Sequence, residues 1–404
     1  MKVLYVCGYA SERIMDVRGD HETANPAGNT KVRLIAESLV RVGHEVALLS
    51  FVSMASSRRL FFPAAADDQT PALPGVSVLY PRACAVRPWG GLGLALGAPR
   101  IARSVMRSLS PDLVLVYNAD VFQSRFVDWV RTNTHVPVVL DLEDLPKPEG
   151  SGLRLLRSRL GCAAWRHTRE KVDAFVLVSQ ELSSAIPQQA RYIVVPGVVG
   201  DDLLQAAALR EPPFCSDHVT IAYAGTLDAR EGTDVLLTAA RQLPPGFRFV
   251  FCGQGSMARA VAQAARDCPD QVTYNGLVPR SELVRLLVTS DCLIIAKPAS
   301  EVVGGRVFPF KTLEYVLSGA HVVAGHLPDC GMPELTYIQR WDGRSDSLIS
   351  LLTSAPQDYA AEKNVRGEAR KAIADHYSVS ALSHPLSEFL RSIVDSRRTT
   401  VPLR

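Results

Sequence analysis

Short apolar runs alternate with amphipathic segments along the first half of the chain. The segment between the first two runs places Val32, Ile35, Ala36, Leu39 and Val40 at helical spacing, on one face. Continuous apolar strands separated by helices are typical of a parallel sheet that is covered on both faces. The predicted strands are Val3–Cys7, Glu45–Ser50, Val76–Tyr80, Leu113–Tyr117, Val136–Leu140, Ala174–Val178 and Tyr192–Val195.

The same alternation starts again in the second half. The predicted strands there are Thr220–Ala224, Arg248–Phe251, Val272–Tyr274, Cys292–Ala296 and Val322–Ala324, with helices at about 232–242, 256–267, 281–289 and 310–318. Prolines and glycines in Pro196–Ser216 predict a linker. The sequence therefore predicts an α/β protein of two Rossmann-like, doubly wound parallel-sheet domains that face each other across a cleft.

The predicted domain boundaries are 1–198 and 199–375. The chain reads as helical from Asp358 onward. We expect the last segment, 376–404, to be a helix that packs back on the first domain and ends in a frayed tail.

Composition narrows the function classes. With 47% hydrophobic and 21% charged residues the chain is typical of a compact globular protein, and a net charge of +3 argues against a nucleic-acid binder. The eight cysteines are scattered without a C-x-x-C pair, which indicates reduced thiols. No run reaches the roughly 18 apolar residues of a membrane span, so we expect a cytoplasmic protein.

The most informative motif is the segment from Phe308 to Val323. Pro309 opens a short predicted helix, Gly319 closes it, and a β-branched strand follows. Lys311 and Glu314 are three residues apart, so both side chains emerge on one face near the helix N-terminus. A cation and a carboxylate there suit a ligand with phosphates and sugar hydroxyls. Taken alone, the pair fits an ion pair on a solvated helix better, and the motifs around it reverse that preference.

Three glycine-containing turns follow predicted strands of the second half. Gly225-Thr226 allows close backbone approach to a ligand, and Gly253-Gln254-Gly255 is a G-x-G turn before a helix. Gly276-Leu277 forms a turn whose backbone could read the edge of a base. Short glycine turns are common, so each signal is weak by itself.

Together these residues resemble glycosyltransferase family 4. The resemblance covers most of the chain and includes Gly43-His44-Glu45-Val46, Val178-Ser179, Val195-Pro196-Gly197-Val198, Gly225-Thr226-Leu227 with Gly232, and Pro309-x-Lys311-x-x-Glu314-Tyr315 with Gly319. It implies the GT-B fold and a retaining transfer of a sugar from a UDP-, GDP- or ADP-linked donor to a hydroxyl acceptor. It implies no metal ion or other cofactor.

The resemblance also implies a donor site in the second domain. Glu314 would accept hydrogen bonds from the ribose hydroxyls of the nucleotide. The other residues assigned to the donor are Gly225, Thr226, Arg230, Gly253, Gly255, Gly276, Leu277, Lys311 and Gly319. Lys311 would offset the charge that develops on the diphosphate leaving group.

Two positions depart from the pattern of the family. Glu231 occupies the place of a lysine that contacts the diphosphate, and Arg230 replaces it only if its side chain turns inward. Arg306 occupies the place of the first glutamate of a pair that ends at Glu314. We expect Arg306 to be a catalytic phosphate clamp; a solvated loop arginine is an equal alternative.

The acceptor would bind to the first domain. Glu143 and Asp144 follow a predicted strand, where either carboxylate could orient or deprotonate an acceptor hydroxyl. Asp144 fits a loop cap equally well. His21, Gly28 and Asn118 are further candidates for the acceptor side.

The departures keep a second function class open, a catalytically silent GT-B protein that binds another transferase. A GT-B epimerase or phosphorylase fits less well, because no lysine-bearing cofactor motif is present.

Two stretches are more basic than the rest of the chain. Arg82–Ser110 has five arginines and no acidic residue, and Leu153–Lys171 has a single acidic residue, Glu170. Tryptophan and leucine accompany these cations, as in surfaces that bind anionic membranes. The sequence thus predicts a peripheral membrane contact and a lipid-linked or polysaccharide-precursor acceptor; two solvated helix faces are the alternative.

Overall fold

The structure is a computed structural model. It describes residues 1–18, 26–52, 60–67, 73–85, 89–148, 150–296, 309–325, 327 and 332–400. The chain divides into two compact units. Unit 1 consists of residues 1–198 together with the chain from Val379 onward, and unit 2 consists of Val199–Ser378.

Unit 1 contains an eight-stranded sheet in the order β10-β9-β8-β7-β1-β2-β5-β4. Its strands are β1 Lys2–Cys7, β2 Glu45–Ser50, β4 Ala65–Asp67, β5 Val76–Tyr80, β7 Leu113–Tyr117, β8 Val138–Leu142, β9 Ala174–Leu177 and β10 Arg191–Val194, and β3 Phe61–Phe62 pairs separately with β6 Ala83–Cys84. All pairs of the large sheet are parallel except β4 with β5. The parallel order reverses direction between β1 and β7, which defines a topological switch point.

The helices of unit 1 cover both faces of this sheet. They are α1 Glu12–Arg18, α2 Pro26–Arg41, α3 Trp89–Leu109, α4 Val121–Asn133, α5 Leu153–Arg169 and α13 Val379–Thr400. α13 packs on α2, and a hydrogen bond of 2.7 Å joins the buried His44 Nε2 to Ser387 Oγ of that helix. Right-handed crossovers place α3, α4 and α5 together on the opposite face.

Unit 2 contains a six-stranded parallel sheet in the order β13-β12-β11-β14-β15-β16. The strands are β11 Val219–Ala224, β12 Phe247–Cys252, β13 Val272–Gly276, β14 Cys292–Ile295, β15 His321–Ala324 and β16 Gln339–Arg340. Numbered along the chain, this is the 3-2-1-4-5-6 order of a Rossmann sheet, with its switch point between β11 and β14. The aromatic side chains of Tyr223, Phe249 and Phe251 fill its core.

The helices of unit 2 are α6 Asp201–Ala208, α7 Thr233–Gln242, α8 Ala258–Asp267, α9 Arg280–Thr289, α10 Lys311–Ser318, α11 Ser345–Ala361 and α12 Lys363–Tyr377. Helix α6 lies in the predicted linker Pro196–Ser216, so that prediction was wrong in part. Two acidic residues open this helix, and Leu203 and Ala207 bury its inner face. Among the described residues, every helix is too short or too polar to cross a lipid bilayer.

Several predicted strands are confirmed to the residue, among them Glu45–Ser50, Val76–Tyr80 and Leu113–Tyr117. The prediction Val136–Leu140 was wrong by two residues, because β8 spans Val138–Leu142. The strand therefore includes Asp141, a buried acid that sequence reasoning placed in the following loop.

Candidate functional site

The residues assigned to a donor lie in unit 2, most of them at one edge of the sheet. The loops after β11 and β12 begin at Gly225 and Gly253, and β13 ends at Gly276, so all three glycines lie at the carboxyl ends of parallel strands. The first turn of α10 lies at the same edge, because Lys311 in that turn contacts the end of β11. This is the edge at which open α/β sheets bind ligands.

Side chains of α10 contact the end of β11. The Nζ of Lys311 lies 3.4 Å from the carbonyl oxygen of Ala224 and 4.5 Å from the centre of the Tyr223 ring. The hydroxyl of Tyr315 accepts a hydrogen bond from the amide of Ala224 and donates one to its carbonyl oxygen. These contacts fix the ammonium group of Lys311 beside Gly225, at the switch point of the sheet.

Glu314 is buried and paired with a residue that sequence reasoning missed. Its Oε1 lies 2.6 Å from Nη1 of Arg280, and Arg280 also binds Asp202 at 2.8 Å. Burial alone would lower the pKa of Arg280, but the charges and hydrogen bonds of Glu314 and Asp202 raise it above its usual value. The guanidinium therefore stays charged and holds Glu314 in place. The only sequence signal for Arg280 is its position at the start of a helix after the Gly276 turn.

The glycines of the first two turns pack backbone against backbone. A Cβ atom at Gly253 would overlap the carbonyl oxygen of Gly225, and the Gly253 φ of +136° is one that side chains rarely allow. The amide of Leu227 donates to the carbonyl oxygen of Gln254, and Asp228 accepts from the amide of Ser256 at 2.7 Å. Loop-to-loop packing thus requires the G-x-G glycines whether or not a phosphate binds.

Of the remaining described residues that were assigned to the donor, four lie at the carboxyl edge of the sheet and one, Gly319, does not. Thr226, Arg230, Gly255 and Leu277 are exposed at the carboxyl edge. Gly319 ends α10 just before β15 and therefore lies at the opposite, amino edge, where its carbonyl oxygen accepts from Tyr359. The structure does not bring Gly319 together with the others, and its φ of +82° reflects a helix C-cap. Arg306 lies outside the described residues.

Unit 1 has a buried cluster of charges at the carboxyl edge of its sheet. Lys31 Nζ lies 3.1 Å from Asp141 Oδ1 and also contacts Glu143, while the hydroxyl of Tyr5 donates to Asp141. Lys31 and Asp141 are almost completely buried. Burial lowers the pKa of Lys31, and the charge of Asp141 opposes part of that shift. Sequence reasoning missed Lys31, because a lysine on a helix is normally solvated.

The predicted acceptor residues of unit 1 surround this cluster. Asn118 connects the loop after β7 to the end of β8 by hydrogen bonds. Its backbone amide donates to the carbonyl oxygen of Asp141, and its side-chain Oδ1 accepts from the backbone amides of Glu143 and Asp144. Glu143 is mostly buried beside Lys31, whereas Asp144 is exposed. Gly28 lies in the first turn of α2, three residues before Lys31. His21 lies outside the described residues.

Among the described residues, no group of three or more His, Cys, Asp or Glu side chains has the arrangement of a metal site. In unit 2 the structure places a carboxylate held by an arginine near a lysine at the switch point. In unit 1, described by itself, a second carboxylate is paired with a buried lysine.

Solved structures of the same fold include several sugar-transferring enzymes. Sucrose-phosphate synthase from Thermosynechococcus elongatus matches with a TM-score of 0.73 and 14% identity over 98% of this chain and 100% of that chain. A trehalose-phosphate synthase from Burkholderia xenovorans, in complex with glucose-6-phosphate, matches with a TM-score of 0.69 and 13% identity over 96% of this chain and 99% of that chain. HepE from Anabaena, in complex with UDP and glucose, matches with a TM-score of 0.64 and 16% identity over 97% of this chain and 100% of that chain.

The fold is that of the GT-B glycosyltransferases. This confirms the predicted fold class of two Rossmann-like parallel-sheet domains. No family model matches the sequence, and no curated protein resembles it at a significant level. At identities of this size the likeness to solved structures establishes the fold alone.

Proposed function

We propose that the protein transfers a sugar from a nucleotide-diphosphate-sugar to a hydroxyl acceptor, with retention of configuration. The observation that carries the proposal is the buried Glu314, which Arg280 holds at the carboxyl edge of a Rossmann sheet, beside Lys311 at the switch point. A fixed carboxylate accepts hydrogen bonds from a pair of ribose hydroxyls without further ordering, which favours binding. The fold similarity to HepE, which was solved with UDP-glucose, makes UDP-sugars the first donors to test.

The other residues have defined roles in this proposal. The loops at Gly225, Gly253 and Gly276 surround the donor, and Lys311 stabilises the negative charge of the departing diphosphate. Arg306 as an additional phosphate clamp stays a prediction. So does independence from metal ions, which an assay in the presence of EDTA checks.

Unit 1 would bind the acceptor near Glu143. The adjacent ammonium group of Lys31 stabilises the carboxylate of Glu143, which suits it to accept a hydrogen bond from an acceptor hydroxyl. We propose a lipid-linked or polysaccharide precursor as the acceptor and a cytoplasmic location for the reaction. The support for that acceptor class is the basic surface of α3 and α5.

Titration calorimetry with UDP, GDP, ADP and their sugars tests the donor site. We expect one nucleotide family to bind, and Glu314→Gln to weaken its binding by about 10–100-fold, the value of a charge-assisted hydrogen bond. Glu368→Gln, an exposed position on α12, is the matched control. Equal affinities of the parent and Glu314→Gln proteins would remove the proposed role of this carboxylate.

A catalytically silent binding protein is the second candidate. One observation favours it: Glu231 places a negative charge where the resemblance predicts a lysine. Burial raises the pKa of Tyr223, and the nearby charge of Glu231 raises it further. Donor consumption separates the two functions. An enzyme releases nucleoside diphosphate in the presence of an acceptor, or slowly by hydrolysis, whereas a silent protein binds the donor and leaves it intact.

A further inference from the structure

Helix α3 presents a stripe of leucine and arginine to solvent. Leu92, Leu96, Arg100, Arg103 and Arg107 recur at helical spacing, so they lie on one face, and all five are exposed. Leu92 is 49% and Leu96 61% exposed. The opposite face is buried in unit 1, as an amphipathic helix requires. The exposed leucines therefore do not contribute to the core.

Helix α5 has a second exposed stripe in its first two turns. Leu153, Leu156 and Leu160 lie three and four residues apart on one face and are 79%, 55% and 51% exposed. The arginines between them, Arg154, Arg157 and Arg159, are exposed as well. Only the second half of this helix buries side chains, among them Trp165.

The two stripes belong to one surface of unit 1. A Cβ atom at Gly91, near the start of α3, would lie 4.0 Å from Nη2 of Arg157, so a side chain of the α5 stripe reaches the first turn of α3. Both helices cover the same face of the sheet. We call this region the arginine–leucine surface; it consists of the exposed leucines and arginines of the two stripes.

The charged side chains that α3 and α5 themselves contribute to this surface are all cations. Neither α3 nor α5 contains an acidic residue. None of the arginines of the surface forms an ion pair with a described residue. Two acidic residues of the α4 region lie near α5. Asp128 binds His167 and Lys171 toward the end of the helix, and Asp120 lies 3.5 Å from the position of a Cβ atom at Gly161, just past the leucine stripe.

The leucines identify the partner. Five of the eight exposed leucines among the described residues lie on the arginine–leucine surface. Arginine clusters attract any polyanion, but a nucleic acid backbone would leave these leucines in water. A bilayer with anionic headgroups accommodates both, because its phosphates pair with the arginines and its acyl boundary takes up the leucines.

We propose that the arginine–leucine surface binds the surface of an anionic phospholipid bilayer. The proposal goes beyond glycosyl transfer and does not depend on it, because binding is measured without donor or acceptor. Each cation near such a surface contributes about fivefold to the partition constant. The arginines and leucines of both helices together are therefore sufficient for peripheral attachment without a spanning helix.

Cosedimentation of the full chain with vesicles of phosphatidylcholine, with and without 50% phosphatidylglycerol, tests the proposal. We expect binding to the anionic vesicles alone, and a loss of binding when the salt concentration rises from 0.05 M to 0.5 M. Arg100→Gln/Arg103→Gln/Arg107→Gln should weaken the partition constant about a hundredfold. Leu156→Ser/Leu160→Ser should weaken it by about tenfold or more.

Matched controls come from exposed positions of unit 2. Arg241→Gln/Arg248→Gln/Arg259→Gln removes the same charge, and Leu209→Ser removes an exposed leucine. Both controls should bind vesicles as the parent does. Absence of salt-sensitive binding to anionic vesicles would overturn the proposal. So would unchanged binding of the leucine variant, or binding of single-stranded DNA as tight as that of the vesicles.

Discussion

Gly232 allows the sharpest test of the donor-side architecture. It precedes α7 with a φ of +81°, and a Cβ atom there would lie 2.6 Å from the carbonyl oxygen of Ala296, at the end of β14. The left-handed conformation alone costs a non-glycine residue about 1–2 kcal/mol. Contact with a backbone atom that can retreat only by moving β14 adds about 1–3 kcal/mol. We therefore expect Gly232→Ala to lower the free energy of unfolding by about 2–5 kcal/mol.

Two other glycines in unit 2 separate the two contributions. Gly343 has a φ of +87° with nothing within 4 Å of an added Cβ, and Gly319 has a φ of +82° with the flexible guanidinium of Arg370 at 3.1 Å. Gly343→Ala should therefore show only the conformational cost, and Gly319→Ala little more. Equilibrium urea unfolding of all three variants and the parent measures the differences, provided that the slope m is unchanged. A cost for Gly232→Ala no larger than that of Gly343→Ala would refute the close-approach argument.

Three further perturbations test the charge networks. Lys31→Met leaves the Asp141 carboxylate buried without its cation and should lower the unfolding free energy by about 3–5 kcal/mol, measured by urea unfolding. Arg280→Gln removes a partly exposed partner of Glu314 and should cost about 2–3 kcal/mol, with weaker donor binding in calorimetry. Burial lowers the pKa of His321 to about 4, so the unfolded chain binds its proton first and stability falls as the pH drops from 6.5 to 4. This loss, up to about 3 kcal/mol, should be absent from His321→Asn in a pH series of unfolding curves.

Each of these has a matched control at a more exposed position. Lys147→Met is the control for Lys31→Met, and His218→Asn is the control for His321→Asn. Arg285→Gln, on the same helix, is the control for Arg280→Gln. Equal stability of Lys31→Met and Lys147→Met would contradict the buried ion pair. Parallel pH curves for His321→Asn and the parent would show that another group causes the acid sensitivity.

Local pattern predicted the sheets of this protein because parallel strands are buried on both faces and read as apolar runs. It failed at β8, where the apolar run ends at Leu140 but the strand continues through Asp141. The cation that makes a buried acid tolerable there is Lys31, 110 positions earlier on α2. A pairing over that distance leaves no trace in the spacing of neighbouring residues.

In the candidate site, too, contacts between residues close in sequence were predictable and contacts between distant elements were not. Lys311 and Glu314 were predictable because both lie on one short helix. Arg280, which holds Glu314, reaches it from another helix, and its position at a helix start did not indicate this contact. Gly319 was wrongly grouped with Lys311 and Glu314 because all three belong to one continuous motif. The motif runs along α10, so Gly319 lies at the far edge of the sheet.

The position of α13 has a consequence for how the chain is synthesised. The helix belongs to unit 1 and packs on α2, yet the whole of unit 2 is translated before it. Unit 2 begins and ends side by side, because the amide of Val199 donates to the carbonyl oxygen of Tyr377 at 2.8 Å. Unit 2 can therefore close on itself at the ribosome while the first 198 residues still expose the groove that α13 will fill. Until α13 has been synthesised, the face of α2 on which it packs stays uncovered.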